Sequence, residues 1–94
     1  MKVFDKAQWH IDNGENALEV IAKFREVFSF LNAHNLLSID GLEIYEFGVD
    51  SSISLNERMV TSDGFTFLDK CYDDVINCST ETISDELERR YSGE

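Results

Sequence analysis

The clearest pattern along the chain is the helical spacing of apolar residues in ENALEVIAKFREVFSFLNAHNLL. There Ala17, Val20, Ile21, Phe24, Val27, Phe28 and Leu31 form one broad stripe. Asn13 or Asn16 is placed to cap its start, and Glu15 and Glu19 stand where the helix dipole favours negative charge. This long helix is the predicted centre of the fold. TSDGFTFLDKCYDDVIN predicts a second, with Thr61 as its cap, Asp63 in its first turn, and Phe65, Leu68, Cys71, Tyr72, Val75 and Ile76 on one face. STETISDELERRY predicts a third, starting at Ser79, Thr80 or Thr82. Its Ile83, Leu87 and Tyr91 repeat at i, i+4, with acids early and Arg89 and Arg90 late, as the dipole prefers.

Between the first two helices, Gly41 and Gly48 with Asp40, Asp50, Ser51 and Ser52 mark turns. The run LEIYEF between them fits two templates. Leu42 and Ile44 alternate as in a strand, whereas Leu42 with Tyr45 and Ile44 with Phe47 pair at helical spacing. We read it as helix and keep the strand as the alternative. The segment around Phe4 and Trp9 is expected to pack as a short helix. The sum is one domain over residues 1–94, mainly α, a small bundle of about four to five helices, with one short β-hairpin near residues 42–60 as the admissible addition.

Composition sharpens this picture. Ninety-four residues bury only about 60–65% of the surface of the unfolded chain. With 43% hydrophobic and 12% aromatic residues, the chain is still equipped to fold despite a net charge of −11. No apolar h-region opens MKVFDKAQWHIDNG and no apolar run approaches about 18 residues, so neither export nor a membrane span is expected and the expected compartment is the cytoplasm. The charge is uneven: residues 1–47 hold eight acids and four bases, net −4, and residues 48–94 hold eleven acids and four bases, net −7. Such a chain repels nucleic acid and anionic lipid and favours a basic partner.

Candidate chemistry is sparse. Cys71 and Cys78 lie seven apart, about 10 Å along a continuous helix, too far for a disulfide, and they lack the C-x-x-C spacing of redox and zinc sites. In a reducing compartment both are expected as packed thiols. His10 and His34 have no zinc-ligand spacing, and no stretch has the EF-hand order of oxygen ligands, so neither metal nor cofactor is expected. There is no phosphate-binding glycine loop and no nucleophile elbow. The one acid–base arrangement on offer is His10 with His34, as in a small ribonuclease-like enzyme.

What stands out is negative charge. On the second predicted helix Asp69 and Asp73 are i, i+4 with Asp74 beside them, and on the third Asp85 and Glu86 stand off the apolar stripe with Glu88 adjacent. Lys70, the nearest cation in sequence, does not neutralise the set. A net −11 exceeds what solubility asks of a small domain.

FGVDSSISLNERMVTSDGFTFLDKCYDDVI, Phe47 to Ile76, resembles a pattern of small bacterial proteins in which G-[IV]-D…L…T-x-x-G-x-x-[FL]…Y-D follows one long amphipathic helix. In size, acidity and organisation the chain is similar to the immunity proteins of contact-dependent growth inhibition and related polymorphic toxin systems. That resemblance, over roughly a third of the chain, implies a cytoplasmic protein that binds and neutralises a toxin domain, commonly a nuclease. A basic nuclease cleft then meets a carboxylate surface, with association steered by charge and affinity set by a few buried anchors. The expected partner-binding residues are Asp69, Asp73, Asp74, Asp85 and Glu86, with Glu43, Glu46 and Asp50 as a second patch and Tyr45 or Tyr91 as an anchor.

Three alternatives stay open. A DNA mimic uses the same acids against a DNA-binding protein. TSDGFTFLDKCYD has the helix-and-turn grammar of winged-helix regulators, but the recognition helix of those is basic. An enzyme built on His10 and His34 is the third. A homodimer through exposed aromatics is also compatible with the sequence.

Overall fold

The computed structural model describes residues 1–93. Among them the chain forms, in order, β1 (Val3–Lys6), α1 (Ala7–Asp12), α2 (Ala17–Ala33), α3 (Ile39–Phe47), β2 (Ser54–Asn56), a 3-10 turn at Glu57–Met59, α4 (Ser62–Val75) and α5 (Thr80–Tyr91). The mainly helical expectation holds, and the run at 42–47 is helix.

The two strands pair antiparallel, Val3 with Asn56, Asp5 with Leu55 and Lys6 with Ser54, with a bulge between Val3 and Asp5. The strand within 42–60 is therefore β2, and its partner comes from the amino terminus, about fifty positions away. The opening segment, expected as one short helix, is split at Lys6 into strand and helix. A partner so distant in sequence leaves no local trace, whereas β1 has only four residues in which to show a period.

Helix α2 is the spine. Asn16 caps it by accepting from the Glu19 N–H at 3.1 Å, and Val20, Phe24, Val27, Phe28, Phe30 and Leu31 are buried along it. Its end is a Schellman closure. Asn35 takes the left-handed conformation (φ 57°), the Leu36 N–H bonds the Leu31 carbonyl at 2.8 Å, and the Asn35 N–H bonds that of Asn32. Leu36, buried in turn, offers its carbonyl to the Thr61 N–H at 2.9 Å and so ties the end of α2 to the start of α4. Thr61 caps α4 and Ser38 caps α3 through their side-chain oxygens.

α2 packs against α5, α1 and α3, and α4 packs against α5 and β1. Phe24, Phe28, Leu31, Leu55, Leu68, Ile83 and Leu87 fill the space between them. At one end Phe30, Phe67 and Tyr91 meet edge-on or tilted with ring centroids 5.2–5.7 Å apart, and His34 lies 4.5 Å from the Tyr91 ring.

Candidate functional site

The most deeply placed charge is Asp5, 2% exposed on β1. Its carboxylate accepts from the Tyr72 hydroxyl of α4 at 2.7 Å and from the Lys6 N–H at 2.8 Å, and lies 2.8 Å from His10 Nε2 of α1. The other ring nitrogen of His10, Nδ1, lies 2.8 Å from Glu15. An imidazole facing a carboxylate at each nitrogen can donate to both only when both nitrogens carry a proton, so the geometry favours the cationic form of His10. Burial alone lowers its pKa, but the hydrogen bonds and charges of Asp5 and Glu15 outweigh that and raise it. Burial chiefly, and then the Asp5 charge, push the Tyr72 phenol well up. His10 and Glu15 border a cleft of about 390 Å³ between α2 and the start of α5, with Glu19, Lys23, Thr80 and Glu81 on its walls. The two nitrogens of His10 point apart, so Asp5, His10 and Glu15 do not converge on one point. Among the described residues no group of three or more His, Cys, Asp or Glu gathers as ligands of a metal ion.

A raised folded-state pKa means that the His10 contribution is fully present below the unfolded value of about 6.5 and is lost as pH rises through the higher folded value. The thermal midpoint is therefore expected to decline as pH rises from about 6.5 through that value. His10→Gln should remove this part of the slope. Parallel midpoint–pH curves for the two proteins would refute the assignment.

His34 is placed apart from His10. It ends α2, bonds Glu88 of α5 and stacks on Phe30, whereas His10 packs on Phe24. From Phe24 to His34 is roughly 15 Å of helix axis. The acid–base pairing considered from sequence is thus not assembled: His10 faces Asp5 and Glu15, and His34 faces Glu88. Cys71 is buried in α4, Cys78 half-buried just beyond it, and both are free thiols. Burial pushes the Cys71 thiol up to about 11, which leaves it unreactive near neutral pH.

The acids of α4 and α5 meet cations that are remote in sequence. Asp69 pairs with Lys2, and Asp73 adds to the field at that ammonium. Asp74 accepts from Arg90 at 3.2 Å across the α4–α5 seam. Glu86 lies between Arg89 and Arg90, whose hydrogen bonds hold its carboxyl down to about 2. Neutralisation that Lys70 does not supply thus comes from Lys2, Arg89 and Arg90, so this patch is partly self-compensated. Asp73 and Asp85 are exposed and form no ion pair among the described residues.

The second acidic patch has a different make-up. Helix α3 turns Gly41, Ile44 and Tyr45 inward, and Tyr45 packs against the core, which limits its use as an anchor. The opposite face carries Ile39, Leu42, Glu43, Glu46 and Phe47, with Asp40 at its edge. Ile39 is 80% exposed and Phe47 91%. Gly48 follows with φ 114°, a conformation open to glycine, and beyond this turn Asp50 borders the same cavity as Glu43. Glu43, Phe47, Asp50, Ile53, Ser54 and Met59 border a cavity of about 360 Å³. The Ser52 hydroxyl and N–H hold the Asp50 carboxyl below the usual carboxylate range.

The acids of this patch stand out in the sequence, whereas its apolar members emerge only in the fold. The sequence signals only a surplus: α3 carries Ile39, Leu42, Ile44, Tyr45 and Phe47 on all sides, more than a one-sided core contact consumes. Asp5 escapes the sequence for a different reason: a short packed helix around Phe4 and Trp9 gives no sign that Asp5 lies on a strand, opposite Leu55 and under Tyr72. Among the described residues no helix is long and apolar enough to cross a membrane. No family model, no curated protein and no solved structure matches this chain.

Proposed function

We propose that this chain is an immunity-type protein of the cytoplasm that binds a basic toxin domain, a nuclease, and covers its substrate cleft with carboxylates. The observation that carries the reading is the surplus of acid: the net charge is −11, and Asp40, Glu43, Glu46, Asp73, Glu81 and Asp85 are exposed or rim-placed without an ion pair among the described residues. Unpaired like charge lowers the stability of a compact domain, so its retention is economical when a cationic surface offsets it. A nuclease supplies such a surface, because it must hold phosphates. The nearly isotropic extents of 32 × 28 × 23 Å favour a compact plug for a cleft over an imitation of an extended duplex.

The test is co-expression in bacterial cells with the product of the gene immediately upstream, scored for growth and for co-purification at low salt. Growth arrest by the neighbour alone, relieved by this chain, together with a complex that dissociates as salt is raised, is the expected result. A toxic neighbour that this chain neither binds nor relieves overturns the reading.

A further inference from the structure

The exposed face of α3 combines two features, a cluster of apolar side chains in water and a set of unpaired acids. Large apolar side chains stand in water, Phe47 at 91%, Ile39 at 80% and Leu42 at 38% exposed. They interleave with Glu43 and Glu46 and are flanked by Asp40 and Asp50, none of which has an ion pair among the described residues. Phe47 also stands at the mouth of the cavity bordered by Ile44, Ile53 and Met59. By contrast, the α4–α5 acids have only Tyr91, 42% exposed, as a large apolar neighbour in water among the described residues, and several are already paired with Lys2 or Arg90. A steering surface needs only charge, but an affinity-bearing one needs apolar area that leaves water at its centre.

We propose that this α3 face is the docking site for a partner segment that alternates apolar and Lys or Arg side chains. An apolar side chain of the partner enters the cavity beside Phe47, and its cations meet Glu43, Glu46 and Asp50. Charge selects this occupant. A second copy packed isologously would set the same carboxylates against each other. An anionic membrane or nucleic acid would meet them with like charge. The proposal deepens the immunity reading and rests on it for the partner's class, whereas the chemistry of the face stands on the residues named here.

The probe is a short peptide repeating Lys-Leu-Ala-Lys-Leu-Ala-Lys, titrated into the isotopically labelled full chain at low salt and followed by amide chemical shifts. A peptide of equal charge with Ser in place of Leu is the control. Shifts centred on α3 and residues 48–54 are expected, with the control peptide bound about tenfold more weakly, as for loss of a buried anchor. Phe47→Ala, at a position in solvent, should leave the remaining amide spectrum in place and weaken the Leu peptide by a similar factor. Shifts centred on α4 and α5, or equal affinity of Phe47→Ala and the parent, overturn the proposal. So does sedimentation showing that the parent self-associates and Phe47→Asp does not, because the face is then covered by a second copy. The two readings fail separately: a chain that relieves no toxin but binds the peptide on α3 loses the nuclease partner and keeps the docking face.

Discussion

Asp5→Ala is expected to cost about 3–5 kcal/mol, the range for removing one partner of a buried, hydrogen-bonded ion pair. The reason is what remains behind. The Tyr72 hydroxyl, on a side chain 2% exposed, loses its acceptor, and the His10 cation keeps only Glu15. A domain of this size has about 5–15 kcal/mol in total, so the loss is a large share of it. At about 4–8 °C per kcal/mol, the thermal midpoint should fall by on the order of 20 °C. Two milder variants divide the effect. Tyr72→Phe leaves Asp5 with His10 and the Lys6 N–H and should cost about 1 kcal/mol. Asp5→Asn preserves the shape and one acceptor and should fall between the two. A double-mutant cycle of Asp5→Ala with His10→Ala should show coupling, since both act on one network. Additive losses in that cycle, or a parental midpoint for Asp5→Ala, would show that the network is incidental to stability.

Such a network marks the boundary of what the chain discloses in one dimension. The helices are legible because their causes are local. Thr61 and Asn16 sit one residue before an apolar period and accept the first-turn N–H groups there, and Phe24 with Phe28 or Ile83 with Leu87 repeats at the helix's own spacing. What is illegible depends on residues far apart. Lys2 reaches Asp69, and Val3 pairs with Asn56. Arg90 lies sixteen positions from Asp74 yet bonds it across a helix seam, so a patch that reads as uncompensated from α4 alone is partly neutralised in the fold. The acids of α3 show the converse. Glu43, Glu46 and Asp50 are evident as charge, but only the inward turn of Ile44 and Tyr45 reveals that Ile39 and Phe47 are left in water beside them. A nine-residue helix with apolar residues on every side announces a surplus and does not say which members the core takes.

Which members it takes is decided by Gly41, and Gly41→Ala is expected to destabilise by about 2–4 kcal/mol, an overpacking cost at the upper end of the usual range. A Cβ at this position would overlap the Met59 carbonyl oxygen and lie 2.9 Å from the Met59 carbonyl carbon and 3.1 Å from the Leu37 side chain. The Leu37 side chain can yield, but the carbonyl cannot. It accepts the Ser38 N–H at 3.0 Å, Ser38 in turn donates its hydroxyl to the Arg58 carbonyl, and Leu37 bridges Val60. The added methyl must therefore lift α3 off the 3-10 turn and break at least one of these bonds. Alanine's better helix propensity returns only about 1 kcal/mol. Gly48→Ala is the comparison. It meets no atom within 4 Å and bears only the strain of φ 114° with ψ 138°, near a region adopted almost solely by glycine, about 1–3 kcal/mol. Because the inward seat of Gly41 sets the roll of α3, its replacement should also weaken the Lys-Leu-Ala peptide, although Gly41 is buried and touches no ligand. Thermal melts rank the two glycines, and a Gly41→Ala protein that melts at or above the parent would mean that α3 is not held against residues 57–59. The orientation of Ile39 and Phe47 would then need another cause.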